Sequence, residues 1–193
     1  MDELLITPYE VQQIQQHLYP EEIGQVSIWK LRKMCRDYLT MWDQVETMKN
    51  DKTHLTAIAR KRRSAPAAKL QEAGLIEGTV LDYGCGRGSD VIFFENATGY
   101  DPNFQLNPQA LTKKYDTVVC TYVANVLTAT ERQKLYHILR RLSTGSVFIT
   151  VRRNIKKEGF TKKGTYQETV YVDDETNAEL LWENSDYATY RLT

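Results

Sequence analysis

The sequence predicts an α/β fold: a mostly parallel sheet flanked by helices, behind a helical N-terminal extension. Three observations carry this. Short apolar runs at residues 79–83, 117–121 and 146–151 alternate with helical spacing, the pattern of βαβ units whose strands pair in parallel. The first run empties into a glycine-rich segment, the turn by which a buried strand passes to a helix. Residues 1–63 show apolar side chains at steps of three and four and no strand-like run.

Composition sets the outer bounds. The chain has 193 residues, 41% hydrophobic and 26% charged, enough for one domain with a full core and a small extension. No apolar stretch approaches the roughly 20 residues that cross a bilayer, and no secretory signal is visible after Met1, so the expectation is a cytoplasmic protein without membrane contact. Cys35, Cys85 and Cys120 are odd in number and widely spaced, which suits a reducing compartment and shows no metal spacing. The net charge is zero, yet residues 140–163 hold eight basic side chains against Glu158 alone, and 164–193 hold seven acids against Arg191. A second basic run is Arg60, Lys61, Arg62 and Arg63. Such runs are either solvated faces or the rim of a site for an anion.

Taken in order, Thr7-Pro8-Tyr9-Glu10 opens a helix over 7–18 with a capping box and proline in its first turn. A second helix starts near Ser27, where Ile28, Leu31, Cys35, Tyr38, Trp42, Val45 and Met48 form one apolar stripe, suited to packing or to dimerisation. Residues 49–63 form a connector, and Ser64-Ala65-Pro66 opens a helix that ends at Gly74. A buried strand at 79–83 is followed by a short helix over 89–95 and a strand ending near Asp101. The 117–121 strand precedes a capping box, Thr128 to Glu131, and a helix that Gly145 ends. The 146–151 strand follows, then a helix from Asp174 through Trp182 and a last strand over 187–192.

The informative segment is Asp82-Tyr83-Gly84-Cys85-Gly86-Arg87-Gly88, followed 19 residues after Asp82 by Asp101. An acid at the end of the next strand is placed to take ribose hydroxyls, so the pair predicts a nucleoside-cofactor site. The dinucleotide fingerprint G-x-G-x-x-G fails, because Ser89 stands where its last glycine belongs. The P-loop fails for want of Gly-Lys-Ser/Thr.

An acid two residues before G-x-G-x-G resembles motif I of the class I S-adenosylmethionine-dependent methyltransferases. Tyr100-Asp101-Pro102 resembles that family's ribose-binding strand end, residues 115–120 its fourth strand and 146–151 its fifth. Thr56-Ala57-Ile58-x-Arg60, residues 80–86, residues 99–102 and Tyr122-Val123-Ala124-Asn125-Val126 are similar, more narrowly, to bacterial and phage DNA phosphorothioation-associated methyltransferase-like proteins. The resemblance implies a Rossmann-like domain over 64–193 and an extension over 1–63. It implies S-adenosylmethionine as cofactor, held by Asp82, Tyr83, Gly84, Cys85, Gly86, Gly88, Asp101, Pro102, Thr121 and Tyr122. Only fourteen residues separate Asp101 from Asp116, too few for the family's usual helix, strand and helix, so the third strand is expected to be lost.

Methyl transfer from a sulfonium needs chiefly alignment of donor and nucleophile, so no base need be visible. The residues after the fourth strand match no amino-methylating signature, and no Pro-Cys nucleophile occurs. Tyr122 and Asn125, at the active-site edge, are the candidate catalytic residues. Arg152 and Arg153 follow the fifth strand at the ligand-binding edge of the sheet and, with Arg60, are candidate substrate-binding residues. They favour a nucleic-acid substrate. A small-molecule acceptor, or a non-catalytic cofactor-binding module with a protein partner or a second copy on the N-terminal helices, stays open.

Overall fold

Helix α1 (Ala65–Glu72) forms where the sequence signals its start: the Ser64 hydroxyl accepts the Ala67 N–H, and Pro66 sits in the first turn, where no N–H is needed. The computed structural model describes residues 52–57, 60–162 and 164–193. The helices expected at 7–18 and from Ser27 onward lie outside the described residues.

Six strands make one sheet: β1 (Val80–Tyr83), β2 (Ala97–Tyr100), β3 (Tyr115–Thr121), β4 (Ser143–Arg152), β7 (Ala178–Glu183) and β8 (Tyr187–Leu192), in the order β2-β1-β3-β4-β8-β7. The first four are parallel, with Val80 beside Ala97 and Thr117, and Val119 beside Phe148. β8 runs antiparallel to β4, and β7 antiparallel to β8. Between β4 and β7 lie a two-stranded hairpin, β5 (Gly159–Phe160) with β6 (Tyr166–Gln167), and a single helical turn, α3 (Val172–Glu175). This is the mostly parallel, helix-flanked α/β sheet that the strand pattern predicts. β2 is the outer strand on its side, and a 3-10 turn over Pro108–Thr112 leads from it to β3, so no strand stands where a third would.

The core has two faces. Ala67 and Leu70 of α1 bury against Val80, Val119 and Phe148, with Leu181 and Trp182 at the margin. Helix α2 (Ala129–Leu142), opened by a box in which Glu131 accepts from the Thr128 N–H, packs on β3 and β4. It buries Leu135, Ile138, Leu139 and Leu142. Each such leucine contributes about 1.5–3 kcal/mol of burial. Period two puts Asp82 on the face of Val80, toward α1.

Three expectations are corrected. The helix over 89–95 is only a 3-10 turn, Val91–Phe93, because Ser89 and Asp90 bond to the chain ahead of α1 and Asn96 turns with φ 52° into β2. Gly145 does not end α2: the helix stops at Leu142, β4 starts at Ser143, and Gly145 lies within the strand, where a Cβ would stand 2.4 Å from the Asp116 carbonyl. The helix from Asp174 through Trp182 reduces to α3, and residues 178–183 extend as β7, since pairing with β8 outweighs local helical preference.

Candidate active site

β1 and β3 are neighbours, yet β1 continues outward to β2 and β3 inward to β4, so the strand order reverses between them. Ligands of open α/β sheets bind at the carboxyl ends of strands at such a point. Here those ends carry Asp82 to Gly88 from β1, Asp101 from β2 and Thr121 to Asn125 from β3.

The glycines at 84, 86 and 88 all have positive φ (75°, 55° and 75°), which other residues adopt only with strain. They differ in what a side chain would meet. At Gly84 a Cβ would collide with Val123, and at Gly88 with the Gln105 amide at 2.1 Å. At Gly86 it would meet only the Ala57 methyl, at 3.5 Å. Two glycines therefore make room for protein side chains, and the middle one leaves its backbone open.

Asp101 ties this loop to β2. Its Oδ2 accepts the Gly86 N–H at 2.9 Å, and its Oδ1 accepts the N–H groups of Asn103 and Phe104 at 2.8 and 3.0 Å. Pro102 opens the tight turn that follows, and the Asp101 and Gln105 backbones pair across it. The Gln105 side chain lies between Gly88 and Gly99, 3.4 Å from the Cys85 sulfur.

Asp82 is 3% exposed, and no hydrogen-bond donor reaches its carboxylate among the described residues. Burial, then the charges of Asp90 and Asp101, push its pKa up to about 8 against the pull of Arg60. Burial and like charge thus favour the protonated carboxyl. Thr121 Oγ1 on the same face, and Tyr100 Oη on the opposite one, are buried without partners among the described residues. Tyr83 stacks on Tyr100 at 5.3 Å and walls the far side of β1. Burial raises the thiols of Cys85 and Cys120 well above their ordinary range, so both stay protonated and unreactive.

Tyr122 follows β3 with φ 65°, a strained conformation for a bulky side chain, and its N–H donates to the Thr150 carbonyl. The Arg60 guanidinium lies 5.7 Å from its ring centre. Burial raises the phenol to about 12, so at neutral pH it is a donor and no base. Arg60 is held over the site by its own backbone, which exchanges two hydrogen bonds with the Ser89 hydroxyl, and the Ser64 N–H donates to Asp90 at 2.6 Å. Ser89, Asp90, Gln105 and Val123 are the residues the sequence reading missed. Ser89 and Asp90 directly follow the glycine loop, so their position was a signal. Gln105 and Val123 carried none.

The other predicted residues separate from this group. Asn125 is 1% exposed, and its side chain is fully used: Oδ1 accepts the Arg152 N–H at 2.6 Å, and Nδ2 donates to the carbonyls of Glu168 and Arg152. It fixes backbone and has no spare group for an acceptor. The Arg153 guanidinium is turned inward, bonded to Glu183, the Val170 carbonyl and Tyr190 Oη, with the Tyr171 ring 4.3 Å away, so it does not join a substrate rim. Arg152 is half-buried, and among the described residues its guanidinium bonds only to the neutral Asn154 side chain.

No family model and no curated protein sequence matches the chain. Several solved structures are similar. Magnesium protoporphyrin IX methyltransferase (ChlM) from Synechocystis PCC 6803, with bound SAM, is 15% identical over 95% of this chain and 97% of its own, at a TM-score of 0.40. A DhpI–SAM–HEP complex is 11% identical over 88% and 100%, at 0.47. The glycopeptide N-methyltransferase MtfA is 12% identical over 69% and 96%, at 0.46.

Proposed function

We propose that this chain is an S-adenosylmethionine-dependent methyltransferase acting on nucleic acid. One observation carries the cofactor: at the point where strand order reverses, Asp101 grips the glycine loop at Gly86, and the buried Asp82 carboxyl at the end of β1 meets no donor among the described residues. The residues fit the group. A sulfonium nucleoside with an amino-acid tail brings ribose hydroxyls, an ammonium and no phosphate. Asp101 Oδ2 keeps a lone pair for a hydroxyl, Asp82 suits the ammonium, and Thr121 offers a hydroxyl without a partner among the described residues. Gly84, Cys85 and Gly88 shape the loop, and Tyr83 and Pro102 frame it.

When bound, the cofactor supplies an electrophilic methyl group, which a nucleophile displaces in line from sulfur. The chain's part is alignment. Tyr122, strained at the mouth of β3, faces the acceptor and donates a hydrogen bond. Asn125 is a positioning residue that holds the backbone at Arg152 and Glu168. Arg60 lowers the cost of keeping Asp82 and Asp90 close, and with Arg152 presents positive charge to the acceptor. Exposed Lys156 and Lys157 extend that charge, which favours a polyanion over a small metabolite. The narrower sequence resemblance, to phosphorothioation-associated proteins, would imply DNA as the polymer.

The test is transfer of a labelled methyl group from S-adenosylmethionine into total DNA, RNA or metabolite extract. Label in nucleic acid is expected. Label confined to metabolites removes the nucleic-acid substrate, and cofactor binding with no labelled product removes the enzyme.

A further inference from the structure

The β5–β6 hairpin stands beside the candidate site and takes no part in it. Its turn is closed by Thr161 and Thr165, whose backbones and hydroxyls bond to each other, and by Gly164 at φ 78°. Its second strand runs into Glu168, which exchanges backbone and amide bonds with Asn125 directly after β3. Arg132 and the Tyr166 hydroxyl hold the Glu168 carboxylate, so the hairpin is anchored at the sheet's carboxyl edge.

What it presents is unusual for a surface of its size. Phe160 is 72% exposed, and a T-shaped contact with Tyr166 at 5.5 Å fixes its ring. Lys156, Lys157 and Lys162 are exposed around it with no ion pair among the described residues, and the Lys52 ammonium lies beside Gly164 at the turn. The hairpin's acid, Glu158, is drawn aside to accept the Thr169 N–H at 2.9 Å. A fixed, exposed ring among unpaired cations matches the chemistry of an unpaired base on its phosphate backbone. A duplex would satisfy the lysines and leave the ring unused.

We infer that the β5–β6 hairpin is a docking platform for single-stranded nucleic acid, with Phe160 stacking on a base and Lys52, Lys156, Lys157 and Lys162 meeting phosphates. The inference deepens the methyltransferase reading and rests on it for what the strand is presented to.

The test is fluorescence anisotropy of the full chain with a labelled single-stranded oligonucleotide and with its duplex, across a salt titration. Phe160→Ala is expected to weaken single-strand binding at least about fivefold, Phe160→Trp to retain it, and duplex binding to be insensitive to both. Joint Lys156→Ala, Lys157→Ala and Lys162→Ala is expected to flatten the slope of log affinity against log salt by about 2, at about 0.7 per contact. Equal single-strand affinity of wild type and Phe160→Ala overturns the platform. So does absent oligonucleotide binding at physiological salt, which leaves the patch to an acidic protein. Calorimetry with S-adenosylmethionine on the same samples separates the two readings. Intact cofactor binding with no Phe160 effect overturns the platform alone, whereas Phe160-dependent binding without cofactor binding supports the platform and overturns the methyltransferase.

Discussion

At the ends of β2 and β3 the hydroxyls of Tyr100 and Thr121 are buried without partners among the described residues, whereas Asn125 and Arg153, at the carboxyl end of β4, use every polar atom of their side chains. Among the described residues no donor reaches the buried Asp82 carboxyl, and Gly86, its N–H held by Asp101, presents no side chain. By contrast, the Arg153 and Arg132 guanidiniums are each surrounded by acceptors. An unpaired buried group costs about 1–3 kcal/mol, so a protein keeps several together where a ligand completes them. Saturation marks the opposite: charge used to hold segments together. The sequence shows an arginine or an acid in both places, and only their partners tell the two uses apart.

The saturated half can be broken most severely at Arg132. Its side chain, 5% exposed, joins Glu168, Glu175 and the Leu127 carbonyl, and Tyr136 donates to the same Glu175. Arg132→Ala leaves two carboxylates facing each other and is expected to lower stability by about 3–5 kcal/mol in denaturant unfolding. Arg153→Ala follows, at about 2–4 kcal/mol, because Glu183 and the Val170 carbonyl lose their donor. If Arg153 instead served a substrate, its loss would leave stability intact and flatten the salt dependence of nucleic-acid binding. Urea unfolding and a salt titration on one sample distinguish these results.

The unsaturated half has a pH signature. Unfolded, Asp82 titrates near its ordinary 3.8, and folded it keeps its proton to about 8. Between these values the native state binds the extra proton, so its contribution to stability falls as pH rises and levels off above about 8. Asp82→Asn removes that slope, which is at most about 1.4 kcal/mol per pH unit. The variant is therefore expected to match wild type near pH 4 and to exceed it at pH 8 in thermal melts. Parallel profiles would show that Asp82 has a donor or counter-charge in solution.

These contrasts also explain what could be read from the chain. The glycine loop, the N-cap at Ser64, the capping box at Thr128, the parallel strands and the loss of the third strand are written in neighbouring residues. Period and spacing therefore reveal them. The inward bonding of Arg153 is not legible in the sequence, because its partners, Val170, Glu183 and Tyr190, come from strands and turns 17 to 37 residues away. β7 reads as a helix because its acids suit a first turn, and only the presence of β8 makes it a strand. Gln105 fills the space that Gly88 and Gly99 leave, a fit that exists only once β2 lies beside the loop.

The central claim is that the unsaturated half binds S-adenosylmethionine through Asp101. Isothermal titration calorimetry of wild type and Asp101→Ala tests it most directly. A charge-assisted bond to a ribose hydroxyl contributes about 1.5–3 kcal/mol, so the variant is expected to bind at least tenfold more weakly, while NAD gives no heat with either protein. Equal affinity in the two proteins, or NAD bound in preference to S-adenosylmethionine, would contradict the account.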